Sequence, residues 1–281
     1  MGHALSCAFL PSLCALCDGL LPTISRSPVC ESCWSEIPPQ RENCCTRCGE
    51  DLFEPRSGSA SICRVCRVAP PAFVRAVSYG VYDGSMRAAI HAFKYDRIAP
   101  LARELGARLA LAIAQMELDA PCEMLVVPVP LHRGRMAERG FNQARTLAAE
   151  ALRRLRISHP AWRFELSASS LVRQRSTESQ SGLTPRQRRQ NLRGAFFVSD
   201  SEALRGRHVL LVDDIFTTGA TARACSKILI EAGAASVRVA TLARAQRRFP
   251  LPTRDDRSFI RLSMPDDAGN DTVSSKTATV H

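Results

Sequence analysis

The stretch Val209-Leu210-Leu211-Val212-Asp213-Asp214-Ile215-Phe216-Thr217-Thr218-Gly219-Ala220-Thr221 constrains this chain more than any other. It begins as an apolar run of the kind that fills a buried parallel strand. Two adjacent carboxylates close that strand. A Thr/Gly segment then turns directly into a helix, predicted over Thr221 to Ala232 and stopped by Gly233. Each part suits an anionic ligand that carries hydroxyls. Free backbone N–H groups at the helix start, aided by its dipole, can hold a phosphate. Gly219 lets the backbone approach that anion, and Thr217, Thr218 and Thr221 offer hydroxyl donors. Asp213 and Asp214 can accept from sugar hydroxyls and hold Mg²⁺ through its waters.

The segment resembles the phosphoribosyl-pyrophosphate (PRPP) motif of type I phosphoribosyltransferases: four apolar residues, Asp-Asp, two variable positions, then Thr-Thr-Gly-Ala-Thr. Two other readings stand beside it. One is an ordinary βα turn with solvated acids; the other is a pocket that binds without transfer.

Ten of the twelve cysteines precede residue 67, and eight form four Cys-x2-Cys pairs: Cys14/Cys17, Cys30/Cys33, Cys45/Cys48 and Cys63/Cys66. Thiolates at this spacing share one tight turn and face one ion; four of them complete a closed, tetrahedral zinc site. Eight thiolates therefore predict two structural Zn²⁺ ions. A sequential pairing, Cys14/Cys17/Cys30/Cys33 and Cys45/Cys48/Cys63/Cys66, is the simpler scheme, and a cross-braced one is the alternative. Gly19 and Gly49 follow two of the knuckles, where a positive φ is expected. Cys44 is a possible competitor of Cys45 for metal, Cys7 lies outside the pattern, and Cys122 and Cys225 read as packed or partly buried thiols. Disulfides are the alternative, which the paired spacing and the lack of a secretory signal argue against. The module has little apolar sequence, so metal should supply most of its folding free energy.

The 281 residues accommodate an ordinary α/β domain plus a smaller module. No uninterrupted apolar run reaches about 18 residues, so no membrane span is expected. Met1 to Leu21 lacks a basic n-region, and a cytoplasmic location is expected. Most of the +11 net charge lies between His132 and Arg193, where fourteen arginines and no lysine face four glutamates. The arginine fork suits phosphate oxygens, so the expected partners are anionic: a pyrophosphate-bearing substrate, a nucleotide or a nucleic-acid strand.

Residues 1–70 read as the zinc module, 71–248 as the α/β domain and 249–281 as a disordered tail. Strands are predicted within Phe73 to Tyr82, Met124 to Val129, Ala195 to Val198 and Val237 to Leu242. Helices are predicted over Gly84 to Tyr95, Leu101 to Met116 and Met136 to Leu155. This alternation implies a doubly wound, mostly parallel sheet.

Other candidates cluster around these elements. Leu131, His132 and Arg133 follow a strand, where backbone amides with Arg133 or Arg135 could receive a pyrophosphate; a plain structural turn is the alternative. Asn142 and Gln143 could read a nucleobase edge, or Asn142 could simply cap a helix. Lys94 is either a phosphate contact or a solvated C-terminal cation. The polar, basic segment from Arg173 to Asn191 reads as a lid or as a solvated helical face.

In order along the chain, these features resemble the ComF/GntX-type family, which joins a double zinc ribbon to a phosphoribosyltransferase domain. The resemblance covers roughly residues 10–245. It rests on the Cys-x2-Cys units, His91-Ala92-Phe93-Lys94-Tyr95, Val127-Pro128-Val129-Pro130-Leu131-His132 and Arg139-Gly140-Phe141-Asn142-Gln143-Ala144. It continues through Arg173-x-Arg175-x-Thr177-x2-Gln180-x2-Leu183, Arg188-x2-Asn191, Phe196 and the Asp213-Asp214 motif.

The resemblance implies a type I phosphoribosyltransferase sheet preceded by the ribbons, and PRPP or a ribose-5-phosphate-like ligand bound with Mg²⁺. It also implies a link to single-stranded DNA uptake in natural transformation, with a competence helicase as a partner. Asp213, Asp214 and Arg173 would be catalytic, and Thr217 to Thr221, Leu131, His132, Arg133 and Lys94 would bind PRPP. Arg139, Asn142, Gln143, Arg175, Thr177, Gln180, Arg188 and Asn191 would form the acceptor side or lid. No signature names the acceptor. Two rival readings are a single-stranded-DNA-binding factor and a PRPP-sensing regulator without turnover. For the first, the basic segment offers only Phe141, Trp162 and Phe164 for stacking.

Overall fold

The computed structural model describes residues 13–21, 27–37, 40, 43–52, 61–96, 99–175 and 194–246. Among the described residues there are seven strands: β1 Arg75–Val81, β2 Glu123–Pro128, β3 Arg163–Leu166, β4 Leu171–Arg173, β5 Phe196–Val198, β6 His208–Phe216 and β7 Ser236–Arg244. Five of them make an all-parallel sheet in the order β1-β7-β6-β2-β3, and β4 and β5 pair antiparallel in a separate ribbon. The helices are α1 Glu31–Ser35, α2 Arg64–Val68, α3 Gly84–His91, α4 Ala99–Ala114, α5 Arg133–Arg139, α6 Gln143–Ser158 and α7 Ala220–Glu231.

The sheet is apolar on both faces because strand residues alternate sides. In β6, Leu210 and Val212 join the core under α3, α4 and α6, while Val209 and Leu211 join the core under α7. The cysteine tetrads divide the same way. Cys14 and Cys33 pack into the first core, and Cys45, Cys48, Cys63 and Cys66 into the second. The two cysteine groups therefore sit on opposite faces of one sheet.

Helices α4 and α6 cross closely at Gly106. A Cβ there would overlap the Glu150 Cβ and lie 3.3 Å from the Ala151 nitrogen. Intrinsic helix propensity favours alanine over glycine by about 1 kcal/mol. Overpacking nevertheless costs about 1–3 kcal/mol, so Gly106→Ala should destabilise the chain in urea titrations. A rise in stability would show that the crossing can open.

Strand order locates the crevice. From β2 the chain proceeds to its neighbour β3, and from β6 it proceeds to β7 on the other side. The carboxyl ends of β2 and β6 thus flank a topological switch point, where open α/β sheets bind ligands.

The mostly parallel fold class is as expected, but several elements differ from the sequence reading. The helix predicted over Met136 to Leu155 is two, α5 and α6, broken at Gly140 with φ of 78°. Asn142 then starts α6 afresh by accepting from the Arg145 N–H at 3.2 Å. The predicted strand near Ala195 exists as β5, outside the parallel sheet. Short β3 and β4 were not foreseen. Strand β6 runs past the acidic pair to Phe216 because its register with β7 continues to Phe216↔Arg244. Gly19 is not in the left-handed region; Asp18 takes that role at φ 56°, whereas Gly49 holds φ 66° as expected. Cys225 is buried, but Cys122 is exposed. The expected tail and most of the expected lid lie outside the described residues. Among the described residues, no helix is long and apolar enough to cross a membrane.

Candidate functional site

The β6–α7 junction brings the two carboxylates next to a Thr/Gly turn and a helix N-terminus. Asp213 Oδ1 accepts from the Asp214 N–H at 2.9 Å, and Asp214 Oδ2 lies 2.6 Å from Lys94 Nζ. Lys94 reaches it because α3 continues as a π turn over Ala92–Asp96, a widened turn of the kind often found at functional sites. Burial and the neighbouring Asp214 carboxylate push the Asp213 carboxyl up to about 7, against the opposing influence of the Asp214 N–H, Lys94 and Arg173.

Beyond Phe216 the chain turns through Thr217 and Thr218 to Gly219, the N-cap of α7. Gly219 has φ of 73°, and a Cβ on it would lie 2.5 Å from the Phe216 ring. Only glycine fits. Among the described residues no side chain caps α7, so its first N–H groups are left for another acceptor. The Thr218 hydroxyl is buried without a hydrogen-bond partner among the described residues. Asp213, Thr217, Gly219, Ala220 and Thr221 line a small hollow at this point.

The β2 side completes a cleft of about 180 Å³ between the strand ends. Its walls bring together Lys94, Leu131, Arg139, Asn142, Gln143 and Arg173 with Asp213, Asp214, Thr217 and Thr221. Arg135 joins them. Four cations against two carboxylates leave room for a polyanion. Burial holds the Arg173 guanidinium below its ordinary range, and Arg135 adds to this.

Arg139 is buried, donating to Gln143 Oε1 and to the Tyr95 hydroxyl, both at 3.2 Å. The Gln143 amide nitrogen and Arg139 Nε are buried without partners among the described residues. Asn142 performs the capping role and also donates to the Val129 carbonyl at 3.1 Å.

Two other positions lie differently. His132 Nδ1 accepts from the Gly134 N–H at 3.2 Å, capping α5. Arg133 is exposed and is not among the cleft's lining residues. Arg175 is exposed, and Thr177, Gln180, Arg188 and Asn191 lie outside the described residues. A larger groove of about 860 Å³ runs between the second zinc ribbon and β1, but neither the acidic pair nor a helix N-terminus lines it.

The cysteines fall into the sequential tetrads Cys14/Cys17/Cys30/Cys33 and Cys45/Cys48/Cys63/Cys66, each with its sulfurs within 4.8 Å of one another. Cross-bracing is excluded, and Cys44 belongs to neither tetrad. Sulfur separations of 3.9 Å (Cys14–Cys33), 3.7 Å (Cys17–Cys30) and 3.6 Å (Cys48–Cys63) match the edge of a zinc tetrahedron. That edge is about 3.8 Å for a Zn–S bond of about 2.3 Å. Within the second tetrad, S–H groups of Cys48 and Cys66 stabilise the Cys45 thiolate and lower it. Donation to Cys45 raises both partners, Cys66 to about 12. All four protons can leave together only with a cation at the centre. Both tetrads fit structural zinc.

The sequence reading missed Arg244 and Glu50. Arg244 at the end of β7 is buried against the Phe216–Thr217 turn and pairs with Glu50 of the second zinc ribbon. The signal available was an arginine ending a strand that is otherwise buried along its length.

A family model described as phosphoribosyl transferase domain matches residues 141–271, and one described as double zinc ribbon domain matches residues 5–67. DNA utilization protein YhgH of Escherichia coli strain K12 is 31% identical over 237 residues, covering 84% of this chain and 98% of that protein. Competence protein F of Haemophilus influenzae is 31% identical over 236 residues, covering 83% and 96%. Competence protein ComFC of Bacillus subtilis is 29% identical over 250 residues, covering 83% and 95%.

Proposed function

The chain belongs to the ComF/GntX-type family of double-zinc-ribbon phosphoribosyltransferase-domain proteins, and from that premise we propose that its cleft binds PRPP together with Mg²⁺. One observation carries the reading. The acidic pair, a buried threonine hydroxyl unpartnered among the described residues and a helix N-terminus uncapped among them converge at the sheet's switch point.

In this reading Thr217 to Thr221 and the α7 N–H groups seat the 5′-phosphate. Asp213 and Asp214 orient the ribose hydroxyls, and Lys94 holds the Asp214 carboxylate in place. Backbone at Leu131 and the side chains of Arg135 and Arg173 face the pyrophosphate, with His132 and Arg133 shaping the turn behind them. Bound Mg²⁺, held through the acidic pair, would neutralise pyrophosphate charge and ease its departure. Arg139, Asn142 and Gln143 wall the acceptor side, while Arg175, Thr177, Gln180, Arg188 and Asn191 belong to the segment that would cover the ligand.

The reading is tested by titrating PRPP and Mg²⁺ calorimetrically into wild type and Asp213→Asn. Loss of charged hydrogen bonds at about 1.5–3 kcal/mol predicts roughly 10- to 100-fold weaker binding in the variant. Equal affinity in both proteins would remove the acidic pair from the site.

A second surface favours a second ligand. Arg145, Arg153, Arg154 and Arg156 are exposed along α6. With relatives named for competence and DNA utilization, these exposed arginines, of which Arg153 also pairs with Glu150, suit a single DNA strand. Such binding would weaken steeply with salt and survive Asp213→Asn.

A further inference from the structure

We propose that the second zinc ribbon positions the phosphate loop, through Arg244, Glu50 and Arg223, so that zinc retention and PRPP binding reinforce one another. This rests on the PRPP reading of the cleft.

The loop Phe216-Thr217-Thr218-Gly219 hangs from Arg244. That side chain is 3% exposed and donates to the carbonyls of Phe216 at 3.2 Å and Thr217 at 2.5 Å. Its guanidinium lies 4.4 Å over the Phe216 ring. The same ring blocks a Cβ at Gly219, so guanidinium, ring and N-cap form one stack.

The far side of Arg244 belongs to the ribbon. It pairs with the Glu50 carboxylate and comes within 3.8 Å of Cys48 Sγ. Glu50 is fixed by its knuckle: its carbonyl accepts from the Cys45 N–H at 2.7 Å, and Gly49 N–H donates to the Cys45 carbonyl at 2.8 Å. Gln246, two residues after Arg244, donates to the Gly49 carbonyl at 3.1 Å and accepts from the Asp51 N–H at 3.0 Å.

The other end of the loop is held similarly. Arg223, in the first turn of α7, donates to the Ala69 carbonyl at 2.7 Å and approaches Cys66 Sγ at 3.5 Å. The second tetrad thus grips the chain on both sides of the phosphate seat. The first tetrad packs into the opposite core, with Arg108 of α4 over the Trp34 ring at 3.6 Å.

Metal closes the Cys45–Cys48 knuckle, the knuckle aims Glu50, and Glu50 holds Arg244 on the loop. Loosening any link frees the loop, and ordering the loop tightens every link. Coupling of this kind is reciprocal, with typical factors of about 5- to 150-fold.

The test monitors zinc release from the two-zinc protein into 4-(2-pyridylazo)resorcinol, with and without PRPP and Mg²⁺. Iodoacetamide trapping and peptide mapping assign each phase to its cysteines. PRPP should slow release from Cys45/Cys48/Cys63/Cys66 by at least about fivefold and leave Cys14/Cys17/Cys30/Cys33 unaffected. In Glu50→Gln, and separately in Arg223→Ala, that protection should shrink while each variant still carries two zinc ions. A merely structural role would lower both variants' melting temperatures and leave the PRPP dependence intact. PRPP binding to wild type without protection, equal protection of both tetrads, or undiminished protection in both variants overturns the coupling alone. Failure of wild type to bind PRPP overturns the reading of the cleft, and this inference with it.

Discussion

Stripping both zinc ions should unfold the sheet's two cores along with the ribbons. Six of the eight ligand cysteines are buried in those cores, so no separate module can melt and leave the rest intact. Structural zinc contributes about 10–16 kcal/mol in small zinc-binding peptides, against about 5–15 kcal/mol for the whole stability of a typical domain. Without metal, the sulfurs of the second tetrad share protons around a Cys45 thiolate, with Cys66 raised to about 12 and Cys48 raised as well, so the emptied site keeps crowded sulfurs with no ion to hold them together. Loss should be ordered. Cys17 is exposed and Cys30 half-buried, whereas all four ligands of the second tetrad are buried. A chelator should therefore take the first-tetrad ion sooner and the second more slowly. Elemental analysis along the thermal melt checks both parts. The expected protein holds two zinc ions, and its stripped form has no cooperative transition. An unchanged melt after complete removal would show that the tetrads are bystanders to folding.

The β6–α7 unit was legible because every signal in it is local. A buried strand reads from its apolar run, a tight turn from Thr-Thr-Gly, and a helix from the stretch between Thr221 and Gly233. The tetrads were legible for the same reason, since knuckle spacing alone dictates which sulfurs share a turn. Their sequential pairing was only the simpler of two schemes, because choosing a partner turn depends on tertiary packing. The break between α5 and α6 was hidden by a helical pattern on both sides of Gly140. Asn142 was visible there as a cap, yet a single glycine did not outweigh the apolar period around it. Strand β3 offers four residues, Arg163–Leu166, with two charged side chains; its strand state comes from pairing with β2. Arg244 was the largest omission in the site. Its role depends on Glu50, which lies 194 residues away in sequence, and no periodicity reports a contact of that span.

Glu50→Ala is expected to cost about 3 kcal/mol, more than a typical surface substitution, because it takes the carboxylate from the buried Arg244 guanidinium and leaves it the Cys48 sulfur and the loop carbonyls alone. The side chains of this pair are 3% and 9% exposed, so water cannot replace the lost carboxylate without opening the junction between ribbon and β7. The Arg205–Glu202 pair provides the contrast. Its side chains are 72% and 75% exposed, and Glu202→Ala should be hard to distinguish from wild type. A compensated variant separates charge from shape. Glu50→Ala combined with Arg244→Met removes both ions while keeping an apolar stem beside the Phe216 ring. Buried pairs replaced this way often lose little stability, so the double variant should recover much of the single variant's deficit. It should not recover PRPP affinity, because methionine cannot donate to the carbonyls of Phe216 and Thr217. Urea titration and PRPP calorimetry on the same three proteins therefore make two independent measurements. Stability restored without affinity places Arg244 in loop positioning. Affinity restored along with stability would reduce the pair to packing, and a Glu50→Ala protein as stable as wild type would mean that the buried pair contributes nothing.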